Sequence, residues 1–248
     1  RCLTDAGFNL LSIANNHVGD FGELGRKSTI ETLKKNKIYY AGLADYCPTS
    51  VFMIDGIKYG FCAFAPNTGT VSIKDIPAAQ EIVRKLAEQC DIVIVSFHGG
   101  AEGSKYQLVT RKTETFLGEN RGNVYEFAHK MIDAGADILL GHGPHVTRGI
   151  EVYKDRFITY SMGNFCTYDR VNIQGVNGLA PIFKIHTDKQ GKFLKGELTI
   201  STYQEKFKPV RIDERKRVLK VVQDLTKIDF PEMKNKITID NNGIILPL

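Results

Sequence analysis

Asp137-Ile138-Leu139-Leu140-Gly141-His142-Gly143-Pro144-His145 decides how this chain is read. An apolar run of strand length ends in two imidazoles three positions apart. Helical spacing would put both rings on one face, but Pro144 argues against a helix here. The stretch reads as a buried strand that delivers a turn held open by glycine and proline. Such a turn aims both rings into one cleft, which suits a metal centre. Neutral imidazole is the commonest protein metal ligand, and a rigid turn lowers the entropic cost of assembling a site. The bland alternative is a pair of loop histidines with no shared task.

Two other strand ends carry similar chemistry. Asp91 to Phe97 is the clearest buried strand and stops at His98-Gly99-Gly100-Ala101-Glu102. The apolar run from Phe8 to Ala14 stops at Asn15-Asn16-His17. In open α/β sheets ligands bind outside the carboxyl ends of strands, so these loops converge although distant in sequence. Asn16, His17, His98, Glu102, His142 and His145 together fit a metal centre with nitrogen and oxygen ligands. His129 lies in a predicted helix and His186 in a predicted hairpin strand, so both are expected to pack or face solvent.

The remaining pattern is mixed. Asp55-Gly56 between Val51–Ile54 and Ile57–Ala65 is a type I′ hairpin signal. Further hairpins are expected around Lys154-Asp155 and around 188–191, and strands at 38–43 and 243–246. Helices are expected near 23–36, 78–89, 123–134 and 212–225. Residues 1–7 read as a helix end. Residues 103–122 have no period and read as a surface excursion over the site. One domain over 1–248 is the simplest organisation, with 190–248 adding a hairpin, a helix and a closing strand.

Composition narrows the class. At 248 residues, with 42% hydrophobic and 25% charged, a sizeable core is within reach. No apolar run approaches the ~18 residues of a membrane span, and the first residues lack a signal-peptide core. The chain is therefore expected to be a fragment or processed product with its targeting segment upstream. The net charge of +5 is mild. Its densest cluster, Arg211 to Lys220, holds five basic residues against two acidic ones and reads as an amphipathic helix face, not a nucleic-acid patch. Five scattered cysteines form no CxxC pair and no disulfide framework, and Cys62, Cys90 and Cys166 read as small buried hydrophobes. There is no Gly-x-Ser-x-Gly, and Cys166 has no assigned base, which disfavours a Ser/His or Cys/His nucleophile.

Four motifs occur in order: Asn15-Asn16-His17-Val18-Gly19-Asp20, His98 to Glu102, Gly141 to His145, and Tyr160-Ser161-Met162-Gly163-Asn164-Phe165. Over about residues 5 to 170 they resemble the CapA-type poly-γ-glutamate (capsule) biosynthesis family, a branch of the calcineurin-like metallophosphoesterases. The resemblance implies a four-layer α/β sandwich, two mixed sheets flanked by helices. By resemblance, Asn16, His98 and His142 ligate one metal and His145 contributes to its neighbour. His17 then acts as an acid or transition-state stabiliser, and Asp20 is expected to orient it or to cap the following helix. Glu102, Asn164 and Arg148 are expected to line the substrate site. The superfamily's Asp-x-His strand and Gly-Asp segment, which bind and bridge two metals, would precede residue 1. The sandwich is thus expected to lack its N-terminal strands, and a dinuclear centre (Mn, Fe or Zn) to need upstream residues.

The implied function is capsule or poly-γ-glutamate biosynthesis with metal-dependent hydrolysis. The alternative is a non-catalytic envelope protein that binds or helps export an anionic polymer. Expected partners are an anionic polymer or phosphoester and other capsule-synthesis membrane components, with no nucleic acid. The implied location is the cell envelope, outside the cytoplasm.

Overall fold

The computed structural model describes residues 1–167, 169 and 171–248. A single helical turn, α1 (Cys2–Asp5), precedes β1 (Leu10–Ser12), α2 (Gly22–Lys35) and β2 (Tyr39–Ala41). β1 and β2 pair in parallel, and α2 buries Ile30 and Leu33 with Ile13, Ile38 and Leu43. Asp55 and Gly56 both take positive φ (51° and 79°), the type I′ geometry, and close the hairpin of β3 (Thr49–Ile54) and β4 (Ile57–Phe64). α3 (Ile76–Ala87) starts two residues earlier than its apolar pattern suggests. Asp75 caps it by accepting from Ala78 N at 3.1 Å, and Pro77 fits the first turn.

β5 (Ile92–His98) follows, then a small hairpin of β6 (Thr115–Phe116) and β7 (Glu119–Asn120) inside the stretch without a period. α4 (Val124–Asp133) is capped by Asn123 and leads to β8 (Ile138–His142). β9 (Ile150–Tyr153) and β10 (Arg156–Thr159) complete a six-stranded sheet in the order β3-β4-β5-β8-β10-β9, with parallel pairs at β4-β5, β5-β8 and β8-β10.

A second, antiparallel sheet joins β11 (Leu179–Thr187), β12 (Phe193–Tyr203), the short β13 (Arg211–Ile212) on β12, and β14 (Ile237–Ile239) with β15 (Ile244–Pro247). α5 (Arg217–Asp229) packs on β9, β11 and β12. The expected helix at 212–225 is thus displaced. Residues 211–212 pair with β12, and buried Asp213 caps the later start by accepting from Val218 N at 2.9 Å. β14 lies in a stretch with no strand expected.

Side chains alternate along a strand, so the large sheet has two distinct faces. Val93, Val95, Phe97 and Leu139 share a core with Val83, Leu86, Phe127 and Met131 of α3 and α4. The other face is covered in two places. β1 and β2 cover Phe52, Phe61 and Ala63, while Phe183 and Phe193 of the second sheet pack on Phe157 of β10. Between these two covers Ile94, Ile138 and Leu140 stay half-buried. The architecture is the mixed α/β arrangement of sheets and helices that the motif resemblance implies.

Cys62 is buried as expected, but Cys90 is only half-buried and Cys166 is exposed. Cys90 lies between α3 and β5 and Cys166 in the loop after β10, where an apolar neighbour does not guarantee burial. His129 stacks between Tyr125 and Tyr153 and bonds to the buried Glu151 at 2.9 Å, a packing role. His186 pairs with Glu197 at 2.8 Å.

Phe127 sits edge-on to both Phe64 and Phe97, with ring centroids 5.2 and 5.7 Å away, and is fully buried. Phe127→Ala is expected to destabilise the protein by about 3–5 kcal/mol in urea unfolding. A loss under about 1 kcal/mol would show that α4 does not anchor this face.

Candidate functional site

The register of β5 on β8 puts His98 directly opposite His142. Both are on the face of Ile94 and Leu140, away from α3 and α4. Past the strands the two loops stay stitched together: Gly99 N donates to His142 O at 2.9 Å and Gly103 N to Pro144 O at 2.8 Å. Gly143 has φ 115°, and a Cβ there would lie 2.7 Å from Gly99 O. Only glycine lets these backbones approach so closely.

His145 takes a left-handed φ of 57°, unusual for a residue with a side chain. Asn164 holds it there. The His145 ring meets Asn164 Oδ1 through Nδ1 at 2.7 Å, and Asn164 Nδ2 donates to His145 O at 2.9 Å and to Asn177 O at 3.0 Å. Since Asn Oδ1 only accepts, Nδ1 carries the proton and Nε2 keeps its lone pair, 3.8 Å from Glu102 Oε2.

Burial, with the repulsion that a protonated neighbouring imidazole or the Arg121 guanidinium would add, pushes the pKa of His98 down to about 3. Burial alone brings His142 to about 4. Both rings are therefore neutral near pH 7, the form that ligates metal. His98 Nε2 is enclosed and has no hydrogen-bond partner among the described residues. A buried nitrogen left this way costs about 1–3 kcal/mol, and its lone pair suits a ligand position.

The pair fits part of a coordination set. No group of three or more His, Cys, Asp or Glu among the described residues gathers tightly enough to hold a metal. The third donor expected from the motifs, Asn16, is an amide, half-buried in the turn after β1. On that same turn His17 is exposed, with Nδ1 2.9 Å from Asp20 Oδ2. Asp20 thus contacts His17 and does not cap α2, whose N-cap Phe21 offers no side-chain bond.

Arg148, expected to line the substrate site, is corrected by its burial. It is 0% exposed, and its guanidinium is filled by Glu114 at 2.7 and 2.9 Å and by Tyr106 O at 2.9 Å. It has no surface to offer a ligand. Glu114 Oε2 also accepts from Ala101 N at 2.8 Å, so the ion pair pins the loop after His98 onto the strand after His145. Above it, Glu102 meets the buried Arg121 at 2.9 Å, and Arg121 reaches Glu119 at 3.1 Å. Glu114, Arg121 and Asn177 support the site and escape sequence reasoning, since 103–122 shows no period and Asn177 sits in a 3-10 turn.

Arg148→Met leaves Glu114 as a buried, unpaired carboxylate. Thermal or urea unfolding should show a loss of about 3–5 kcal/mol. A variant as stable as the wild type would mean that the loop is pinned by backbone bonds alone.

The fold resembles that of a hypothetical protein from Thermus thermophilus, with TM-score 0.52 at 14% identity over 85% of this chain and 78% of that one. The capsule biosynthesis protein CapA of Bacillus anthracis is 30% identical over 176 residues, 66% of this chain and 41% of that protein. The PGA biosynthesis protein CapA of Bacillus subtilis (strain 168) is 29% identical over 246 residues, 92% of this chain and 59% of that protein. The chain thus spans about half the length of these relatives. The profile described as bacterial capsule synthesis protein PGA_cap matches residues 1–169, the stretch that carries all four motifs. This chain belongs to the PGA_cap family of bacterial capsule synthesis proteins.

Proposed function

We propose that the chain acts in capsule or poly-γ-glutamate biosynthesis as a metal-dependent hydrolase of a phosphoester or a related acyl or amide bond. The observation that carries this reading is His98 Nε2, buried and unpartnered beside a second neutral imidazole, His142. Asn16, His98 and His142 would hold a divalent ion (Mn, Fe or Zn), with His145 contributing to a neighbouring one. The ion supplies Lewis-acid polarisation of the scissile group and acidifies water.

The chain's own residues do the rest. His17 is exposed beside this pair, with Nδ1 engaged by Asp20, so Nε2 is the nitrogen that gives a proton to the leaving group. Asn164 holds His145, and Glu102 lines the wall beside the ring. Substrate access, capsule partners and a position in the envelope outside the cytoplasm follow from the family reading. No helix among the described residues is long and apolar enough to cross a membrane. A second reading, a non-catalytic protein that binds or helps export an anionic polymer, draws on the net charge of +5.

Metal analysis of the purified protein, with hydrolysis of an aryl phosphate, separates the two. The hydrolase reading expects bound transition metal that His142→Ala loses, and a kcat reduced roughly 10²–10⁴-fold in His17→Ala. Absence of metal together with unchanged turnover in His142→Ala would end it. Polymer binding that survives chelation, without turnover, would establish the second reading instead.

A further inference from the structure

Glu102 ends the motif that begins at His98, and the motif resemblance gives it a place in the substrate wall and no more. Its two oxygens are in unusual surroundings. Oε1 is enclosed and accepts no hydrogen bond among the described residues. Arg121 Nη1 lies 2.9 Å from it but off the hydrogen-bonding direction, so the guanidinium balances the charge and leaves the lone pairs unused. Oε2 faces His145 Nε2 at 3.8 Å, too far for a hydrogen bond. Nε2 is an acceptor as well, because the ring's proton sits on Nδ1 against Asn164 Oδ1. Two acceptors thus face each other in a half-buried corner, and one of them is a carboxylate.

A divalent cation between them would satisfy both. Imidazole nitrogen and carboxylate oxygen each stand about 2.0–2.2 Å from a bound Zn²⁺, so at a tetrahedral angle they lie about 3.4 Å apart. Closing from 3.8 Å asks for a shift of about 0.4 Å, which side-chain rotation supplies. Both groups are also aimed from behind, as metal ligands are. Asn164 fixes the His145 ring, and Arg121, anchored on its far side by Glu119 at 3.1 Å, stands behind Glu102. The main chain sets the span between them. Gly103 N, one residue past Glu102, donates to Pro144 O, one residue before His145, at 2.8 Å, and Gly100 N donates to Arg121 O at 2.9 Å.

We infer, on the metal-centre reading proposed above, that Glu102 is itself a metal ligand and holds with His145 a second divalent cation beside the His98–His142 pair. The rings of His98 and His145 stand edge to face with centroids 6.5 Å apart, so both ions belong to one cleft. Two protein donors fall short of a closed cluster of three or more, and suit an ion whose remaining positions go to water or a substrate oxygen. Glu102 thus supplies from within the chain a carboxylate of the kind that the resemblance places before residue 1.

Zinc titration of the chelator-treated protein, read by calorimetry and by metal content after dialysis, tests this without recourse to turnover. Wild type, Glu102→Gln, His142→Ala and Glu88→Gln are compared, Glu88 being an exposed carboxylate at the opposite end of β5. Wild type and Glu88→Gln are expected to bind two equivalents. Glu102→Gln should lose one, or bind it at least about tenfold more weakly, and keep the one that His142→Ala loses. Unchanged stoichiometry and affinity in Glu102→Gln overturn the role of Glu102 and leave the hydrolase reading standing. A single equivalent that Glu102→Gln loses and His142→Ala keeps upholds this site and counts against an ion on His98 and His142. No zinc in the wild type overturns the Glu102 site, and the hydrolase reading with it if turnover in His142→Ala is unchanged. Should circular dichroism show that Glu102→Gln does not fold, anomalous scattering from zinc-soaked wild-type crystals decides. An ion about 2.0–2.2 Å from both Glu102 Oε2 and His145 Nε2 is expected, and one bound to His145 without Glu102 overturns the assignment.

Discussion

The parallel, in-register pairing of β5 with β8 is the constraint on which the candidate site depends. A slip of one residue would turn His98 or His142 to the opposite face and separate the two rings. One buried carboxylate guards that register at the other end of the strands. Asp137 accepts from Val93 N of β5 at 2.8 Å, its own N–H donates to Val93 O, and Arg156 of β10 meets it at 2.8 Å. Burial pushes its pKa up, and these partners hold the charge against that pressure. The same Arg156 reaches Gln190 O in the turn of the second sheet, and Gly191 leaves room there for the carboxylate. Asp137 and Arg156 together tie three strands and both sheets at the end of the strands away from His98 and His142.

At the functional end the charges are sorted by depth. The rings facing each other are neutral, because the surrounding protein disfavours their protonation. Beneath them lies the closed ion pair of Arg148 and Glu114, with 0% and 3% of the two side chains exposed. A buried pair of this kind adds little net stability over apolar residues, yet it is intolerant of losing one member. Here it fixes the loop of Ala101 and Tyr106 relative to the strand after His145. The acid–base candidate, His17 with Asp20, stands outside that packing, where it can exchange protons with solvent.

Much of the fold was legible in the sequence because local chemistry and tertiary structure agree. Continuous apolar runs marked β5 and β8, Asp55-Gly56 marked a hairpin, and the two histidine motifs after β5 and β8 lie side by side as a candidate site. The failures share a physical cause. At 211–225 the apolar period continues through a capping acid, and Asp213 breaks it only because burial makes it accept from Val218. Arg148 follows the histidine turn and so looks like a substrate contact, but its partner Glu114 lies thirty-four positions earlier in a stretch without a period. Sequence spacing shows which residues share an element. It does not show which distant side chain neutralises a buried charge.

The support of the histidine turn extends into the second sheet. Asn164 holds His145 and donates to Asn177 O, while Thr147 Oγ1 donates to Leu179 O at 3.0 Å. Asn177 belongs to the short 3-10 turn Gly175–Gly178, and Gly175, Gly178 and the flanking Ile173 and Leu179 line a hollow beside Tyr203. Gly178 accepts no Cβ, since one would lie 2.4 Å from Gln204 O and from Ile173 O. The strained φ of His145 therefore depends on a turn that is itself wedged between Gln204 and Ile173. The turn at 175–178 supports the histidine side through Asn177 O, which accepts from Asn164 Nδ2, and the first residue of β11 adds Leu179 O to Thr147.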